Sequence, residues 1–169
     1  MADVLRLIAG GLLGLLCCYG GILVKRYYAD REKFYRDAEQ FAAVLSGEIG
    51  FKKTPLPAVI SRFTEGKTGG FCKVLTAFST KLSAGVQQSV AAQEEAEHAK
   101  LRKDEKKQLA DFLSVLGTTA LSDQLDGLRR AREEFGAKRA KCAEESKRLG
   151  GMYFKLAVLI GIALIVILA

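Results

Sequence analysis

The last fourteen residues, 156–169, carry no charged side chain and are almost entirely aliphatic. A second apolar run, residues 7–24, occupies the opposite end, and a charged, helix-patterned stretch separates the two. A chain built this way has to bury both ends or place them in lipid. The eighteen residues of 7–24 span about 27 Å as a helix, close to the hydrocarbon thickness of a bilayer. A secretory signal is the rival reading, because Arg6 precedes the run. The run outlasts a usual signal core, however, and passes into Lys25-Arg26-Tyr27-Tyr28 with no small-x-small cleavage site. A lipoprotein signal at Cys17 or Cys18 meets Leu15 and Leu16 where cleavage needs small residues.

The C-terminal run alone reaches only about 21 Å, and starting it at Leu149 brings it to about 31 Å. Lys155 then lies inside the helix, where its ammonium snorkels to the headgroups beside Tyr153 and Phe154. A buried core helix would need a polar face for water, and this run has none. The sequence therefore predicts two spans, 7–24 and 149–169, a short exported N-terminus over 1–6, and one domain over 25–148. Lys25, Arg26, Arg31, Lys33 and Arg36 follow the first span, and Lys147 and Arg148 precede the second. That bias puts the middle domain in the cytoplasm.

The middle domain reads as helical throughout, with no strand alternation. Phe34, Ala38, Phe41, Leu45 and Ile49 recur at helical spacing, and Gly47 and Gly50 loosen the end of that helix. Thr54-Pro55 predicts a restart, with Thr54 as N-cap and Pro55 at the first helical position. A short helix carries Val59, Ile60 and Phe63 up to Gly66, Gly69 and Gly70. Further stripes are Phe71, Val74, Leu75, Phe78 and Leu82, then Leu109, Phe112, Leu113 and Leu116 before Gly117. Residues 86–99 are weaker, with Glu94, Glu95 and Glu97 on one face. Ser122 or Asp123 caps a long last helix whose Leu125, Leu128, Phe135, Cys142 and Leu149 sit near heptad spacing. That helix is expected to run into the second span, with Gly127, Gly136, Gly150 and Gly151 as soft points. The predicted fold class is all-α: an antiparallel helical bundle flanked by two transmembrane helices.

The residues that carry chemistry elsewhere do not converge here. Gly66-Lys67-Thr68 matches the tail of a phosphate-binding loop, but the pattern needs Gly at position 61, where Ser61 stands, and a strand before it. His98 is the only histidine, and it lies beside Glu97 with no partners for metal or acid–base work. Lys100, Arg102, Lys103, Lys106 and Lys107 interleave with Asp104 and Glu105, as on a solvated helix face. Asp37, Glu39, Glu48, Glu133 and Glu134 read as solvated carboxylates. The four cysteines form no C-x-x-C pair, so neither a disulfide framework nor a zinc site is expected. The net charge of +7 suits an anionic membrane surface, and the signs are too evenly mixed for nucleic acid. No catalytic constellation and no cofactor site is read, so the chain is not expected to be an enzyme. Gly10 and Gly14, and Ala157 and Gly161, form small-x3-small pairs that let spans approach each other or a partner's span.

Further along, Glu48-Ile49-Gly50-Phe51-Lys52-Lys53-Thr54-Pro55-Leu56 resembles a segment of the stage III sporulation protein AB family of endospore-forming bacteria. The family places a Glu-Ile-x-aromatic stretch before Thr-Pro-Leu; here Phe51 replaces its usual Tyr and Lys52 its usual Gly. Leu116-Gly117 with Ser122-Asp123-Gln124, and Gly151-Met152-Tyr153 leading into the terminal apolar run, resemble two later family segments. The resemblance covers the whole length. It implies a component of the channel between mother cell and forespore, required for sporulation and held in the mother-cell side of the engulfing septum. The family is also similar to the platform protein of type II secretion and type IV pilus systems. By that analogy the partners are a sporulation secretion-type ATPase and neighbouring membrane channel proteins of the same operon. The resemblance points to Glu48, Ile49, Phe51, Thr54, Pro55 and Leu56 for the ATPase contact; self-association is left open. The alternative is a membrane-tethered coiled-coil regulator or scaffold unrelated to secretion.

Overall fold

In a computed structural model, residues 2–51, 54–117 and 121–168 are described, without the side chains of 2–11, 13, 14, 17, 18, 51, 121, 150 and 164–168. The elements are α1 (Ala2–Phe51), α2 (Leu56–Thr64), α3 (Gly70–Ser83), α4 (Gln88–His98), α5 (Lys103–Val115) and α6 (Leu121–Glu145). A π turn (Ser146–Gly150) and α7 (Gly151–Leu168) complete the chain. The fold is all-helical, and no strand occurs among the described residues.

The chain divides into two compact units: Met1–Glu32 with Ala140–Ala169, and Lys33–Arg139. The second unit is a helical bundle in which α3 packs on α2 and α4, and α4 on α5. Its core is the stripe expected on α1, with Phe34, Ala38, Phe41 and Leu45 buried, met by Val59, Ile60 and Phe63 of α2. Phe71, Val74, Leu75 and Phe78 of α3 face the same interior, as do Leu109, Leu113 and Leu116. Edge-to-face rings tie these helices together: Phe34 with Phe71 at 5.3 Å, Phe41 with Phe63 at 5.2 Å, and Phe112 with Phe135 at 5.1 Å. Three alanines, Ala91, Ala92 and Ala96, form the buried face of α4. Small side chains there allow α3 and α5 to close over it.

Glu95, expected on an acidic outer face, is buried and bridges Lys81 of α3 at 2.7 Å, while Glu94 reaches the same ammonium at 2.7 Å. These carboxylates raise the Lys81 pKa, and the ammonium lowers that of Glu94. Both acids join α3 to α4; Glu95 does so from the interior, while Glu94 remains exposed.

In the first unit, α1 and α7 meet at Gly21, which is buried. A Cβ placed there would lie 3.1 Å from Ala157 Cβ and 3.3 Å from the Phe154 ring. Arg31, almost fully buried, donates from Nη1 to Glu145 Oε2 at 3.4 Å. Around these contacts the surface is apolar: Leu12, Leu15, Leu16, Ile22 and Leu23 of α1 and Leu156, Leu159, Ile160 and Ile162 of α7 are exposed.

Several sequence expectations change. Gly47 and Gly50 lie within α1, which runs unbroken to Phe51. The charged segment after residue 24 does not interrupt α1 either, because Lys, Arg and Glu are good helix formers. Ser122 and Asp123 are inside α6, not before it, since the helix starts at Leu121; residues 118–120 lie outside the described ones. The long last helix keeps its α geometry through Gly127 and Gly136 and departs from it only at Ser146–Gly150. Among the described residues, no helix is long and apolar enough to cross a membrane. Much of 7–24 and the end of 149–169 fall on side chains outside the described ones.

Candidate partner-docking site

The connection from α1 to α2 is held by one carboxylate. Thr54 Oγ1 donates to Glu48 Oε2 at 2.9 Å, and Arg62 Nη1 donates to Glu48 Oε1 at 3.1 Å. Glu48 is mostly buried while Arg62 is exposed, so the carboxylate binds the last turns of α1 to α2 from the inside. Thr54 therefore does not cap α2. The N-cap is Pro55, whose carbonyl accepts from Ala58 and Val59 at 3.0 and 3.2 Å. A charged acceptor within reach outcompetes a backbone amide for the Thr54 hydroxyl. Pro57 takes the early helical position, where its missing N–H costs nothing.

Of the residues expected to form the contact surface, Pro55 is exposed and Ile49, Thr54 and Leu56 are half-buried. Phe51 ends α1, and its side chain, with residues 52 and 53, lies outside the described ones. Leu56 Cδ2 comes within 4.0 Å of a Cβ built on Gly117, two residues beyond the end of α5. Gly117 has φ +78°, a left-handed conformation open to glycine at little cost. On the other side, Leu125 Cδ2 of α6 lies 3.9 Å from a Cβ built on Gly50. Gln88 Nε2 closes the same end by donating to the carbonyls of Leu113 at 2.9 Å and Leu116 at 2.7 Å. These bonds satisfy acceptors that the end of α5 leaves without helical partners.

Next to this connection, α5 and α6 leave a groove of about 380 Å³. Phe112, Val115, Leu116, Leu128 and Ala131 form its apolar wall, with Gln108, Asp111, Arg130 and Glu134 at its polar edge. Gln124 also lines it; this side chain is over nine-tenths buried and, among the described residues, its Nε2 has no hydrogen-bond partner. Sequence reasoning assigned Phe112, Leu116 and Leu128 to the core and missed the groove. Helical periodicity marks which face of α5 and α6 is apolar, but not whether those faces close on each other.

The other singled-out residues are dispersed. Gly66-Lys67-Thr68 forms the turn after α2, a helix and not a strand, and Lys67 Nζ sits 3.6 Å above the Phe63 ring. A Cβ on Gly69 would lie 2.8 Å from Asp37 Oδ2, and Lys33 Nζ donates to the Thr68 carbonyl. The turn is thus packed on α1 beside a carboxylate, an environment hostile to phosphate. His98 is exposed at the end of α4. Lys100, Arg102, Lys103 and Lys107 are exposed, while Lys106 bonds Glu97 at 3.0 Å and Glu105 turns inward to accept from the Arg102 backbone N–H at 2.9 Å. Cys72 is buried, and burial, then Asp37, pushes its thiol pKa up. Among the described residues no three His, Cys, Asp or Glu side chains converge as metal ligands. Gly10 and Gly14 have side-chain positions outside the described ones; Ala157 faces Gly21, and Gly161 is buried.

Comparison with known proteins bears on the whole chain. The comparison with curated proteins returns no match. A solved structure of Stage III sporulation protein AB is similar, with a TM-score of 0.60 at 20% identity, over 69% of this chain and 96% of that one. At that identity the likeness speaks for the fold. The pattern of the family described as Stage III sporulation protein AB matches residues 6–169. With a match of that extent, the chain belongs to the stage III sporulation protein AB family.

Proposed function

We propose that this sporulation protein is a non-catalytic membrane platform that docks a cytoplasmic secretion-type ATPase through one end of its helical bundle and couples it to membrane channel proteins. The observation that carries the docking site is the juxtaposition of the connection over residues 48–56 with the α5–α6 groove. An exposed proline, half-buried Leu56 and an apolar groove with a polar edge have the composition of a protein interface: an apolar centre with polar groups around it. Glu48 holds Thr54 and Arg62 to the end of α1, so a partner that meets these residues loses little entropy ordering them.

Anchoring in the bilayer is supported by the first unit. Exposed Leu and Ile side chains on both α1 and α7 form an apolar area that water does not tolerate well. The spans 7–24 and 149–169, with the bundle on the cytoplasmic side, provide lipid for that area. Lys155, exposed on α7, then reaches the headgroups. The proposal includes no chemical step: the bundle offers contacts, and the ATPase supplies the energy.

Detergent co-purification of the tagged full-length chain from sporulating cells tests this reading. Recovery of the secretion-type ATPase together with channel proteins is the expected result. Recovery of the chain alone, or only with copies of itself, would contradict it and favour the tethered coiled-coil alternative.

A further inference from the structure

The apolar stripe of α6 keeps heptad spacing through Leu128, Phe135 and Cys142, all buried, to half-buried Leu149. Continued on an unbroken α-helix, that stripe would next reach Leu156. Leu156 is instead 45% exposed, and it is Ala157 that faces Gly21 of α1, with Gly161 buried one turn later. The stripe has slipped by one residue. An α-helix turns about 100° per residue, so on an unbroken helix Ala157 would point about 100° away from Gly21.

The slipped residue is held in the π turn Ser146–Gly150, whose wider ring takes one residue more than the α-helical turn. Immediately before it, buried Arg31 of α1 pairs with half-buried Glu145 and ties the end of α6 to α1. Immediately after it, α7 packs at Gly21. The π turn therefore lies between two contacts with α1, one made by the end of α6 and one by α7.

We propose that the Ser146–Gly150 π turn is a phase switch for α7, storing one residue so that α7 can occupy two rotational settings against α1. In the observed setting Ala157 and Gly161 face α1 and the helices lie close. When the turn relaxes to α geometry, α7 rotates by about 100° and carries Leu156 and Ile160 towards Gly21. Even a Cβ added at Gly21 would lie 3.1 Å from the small Ala157, so the larger Leu156 side chain cannot enter without spreading the helices. One setting is closed and the other open. The Arg31–Glu145 pair holds α6 through the change and confines the rotation to α7. The two settings oppose an uncommon turn against a well-packed seam, and that opposition allows both to be populated.

Disulfide trapping in the full-length chain in native membranes tests the switch, with Cys17, Cys18, Cys72 and Cys142 replaced by Ala. Gly21→Cys is paired with Ala157→Cys to report the closed setting and with Leu156→Cys to report the open one. Both pairs are expected to crosslink. Deleting Gly150 removes the stored residue and leaves Ala157 in phase, so the Ala157→Cys pair should persist while the Leu156→Cys pair loses its crosslink. Failure of the Leu156→Cys pair in the undeleted chain would overturn the proposal by showing a single setting. Loss of the Ala157→Cys crosslink on deletion would also overturn it, because the removed residue would then not be a stored one.

Discussion

Glu48 receives the Thr54 hydroxyl and the Arg62 guanidinium on its two oxygens, and this local arrangement supports the proposed docking surface. Replacing Glu48 by Ala leaves a part-buried hydroxyl to find another acceptor. The expected cost is about 1 kcal/mol, since the exposed Arg62 contributes little. Thermal unfolding of the full-length chain in detergent should register it as a lower Tm. Gln124 behaves in the opposite sense. Its buried Nε2 has no partner among the described residues, so Gln124→Leu should leave the protein as stable or raise its stability by about 1 kcal/mol. A clear loss of stability in the same melt would show that the amide is engaged. Cys72 has its thiol pKa raised by burial. The fold favours its protonated form, a contribution present below the ordinary thiol pKa and lost as pH rises through the raised one. In the folded chain, alkylation at mildly alkaline pH should therefore be slow at Cys72 and fast after unfolding. Equal rates would contradict its burial. At this scale the sequence was legible only in part. Thr54-Pro55 marked a helix start, but the choice of cap turned on Glu48, six residues upstream and brought near only by the fold.

At the scale of elements, the helical stripes were legible because burial follows the 3.6-residue period. Phe34, Ala38, Phe41 and Leu45, chosen for spacing alone, are all buried. The acidic face assigned to residues 94–97 was not legible, since its meaning depended on Lys81 arriving from the neighbouring helix. The glycines of the last helix were weak guides. Gly127 and Gly136 remain α-helical, and Gly136 serves to admit α1, where a Cβ would lie 3.4 Å from Glu39 Oε1. The break at Ser146–Gly150 was hinted at by Gly150 and Gly151, but its π character shows only when the heptad stripe is compared with the residues that α7 buries. The close approach at Gly21 yields a prediction of its own. Gly21→Ile should destabilise the α1–α7 pair by about 1–3 kcal/mol, because the added atoms meet Ala157 and Phe154. Reduced crosslinking between cysteines placed elsewhere along α1 and α7 would report the separation. Undiminished crosslinking would argue against a tight seam.

At the scale of the whole molecule, the two units follow from composition. Residues 33–139 contain the mixed apolar and charged patterns that build a bundle, and the apolar ends fall in the other unit. The all-helical character and the family could both be reached from the residues, the family through the segment over 48–56 and the terminal apolar run. The groove between α5 and α6 could not, because two apolar faces read the same in sequence whether they close or part. In the proposed function the bundle docks its partner through the surface formed by residues 48–56 and this groove. The most direct test measures binding of the purified secretion-type ATPase to the full-length chain in detergent, comparing wild type with the Phe51→Ala, Leu56→Ala double variant. Docking through this surface predicts at least about a tenfold loss of affinity, the scale of losing more than 1.4 kcal/mol at an interface, with the melting profile preserved. Wild-type affinity in the double variant, or a loss explained by global unfolding, would contradict it.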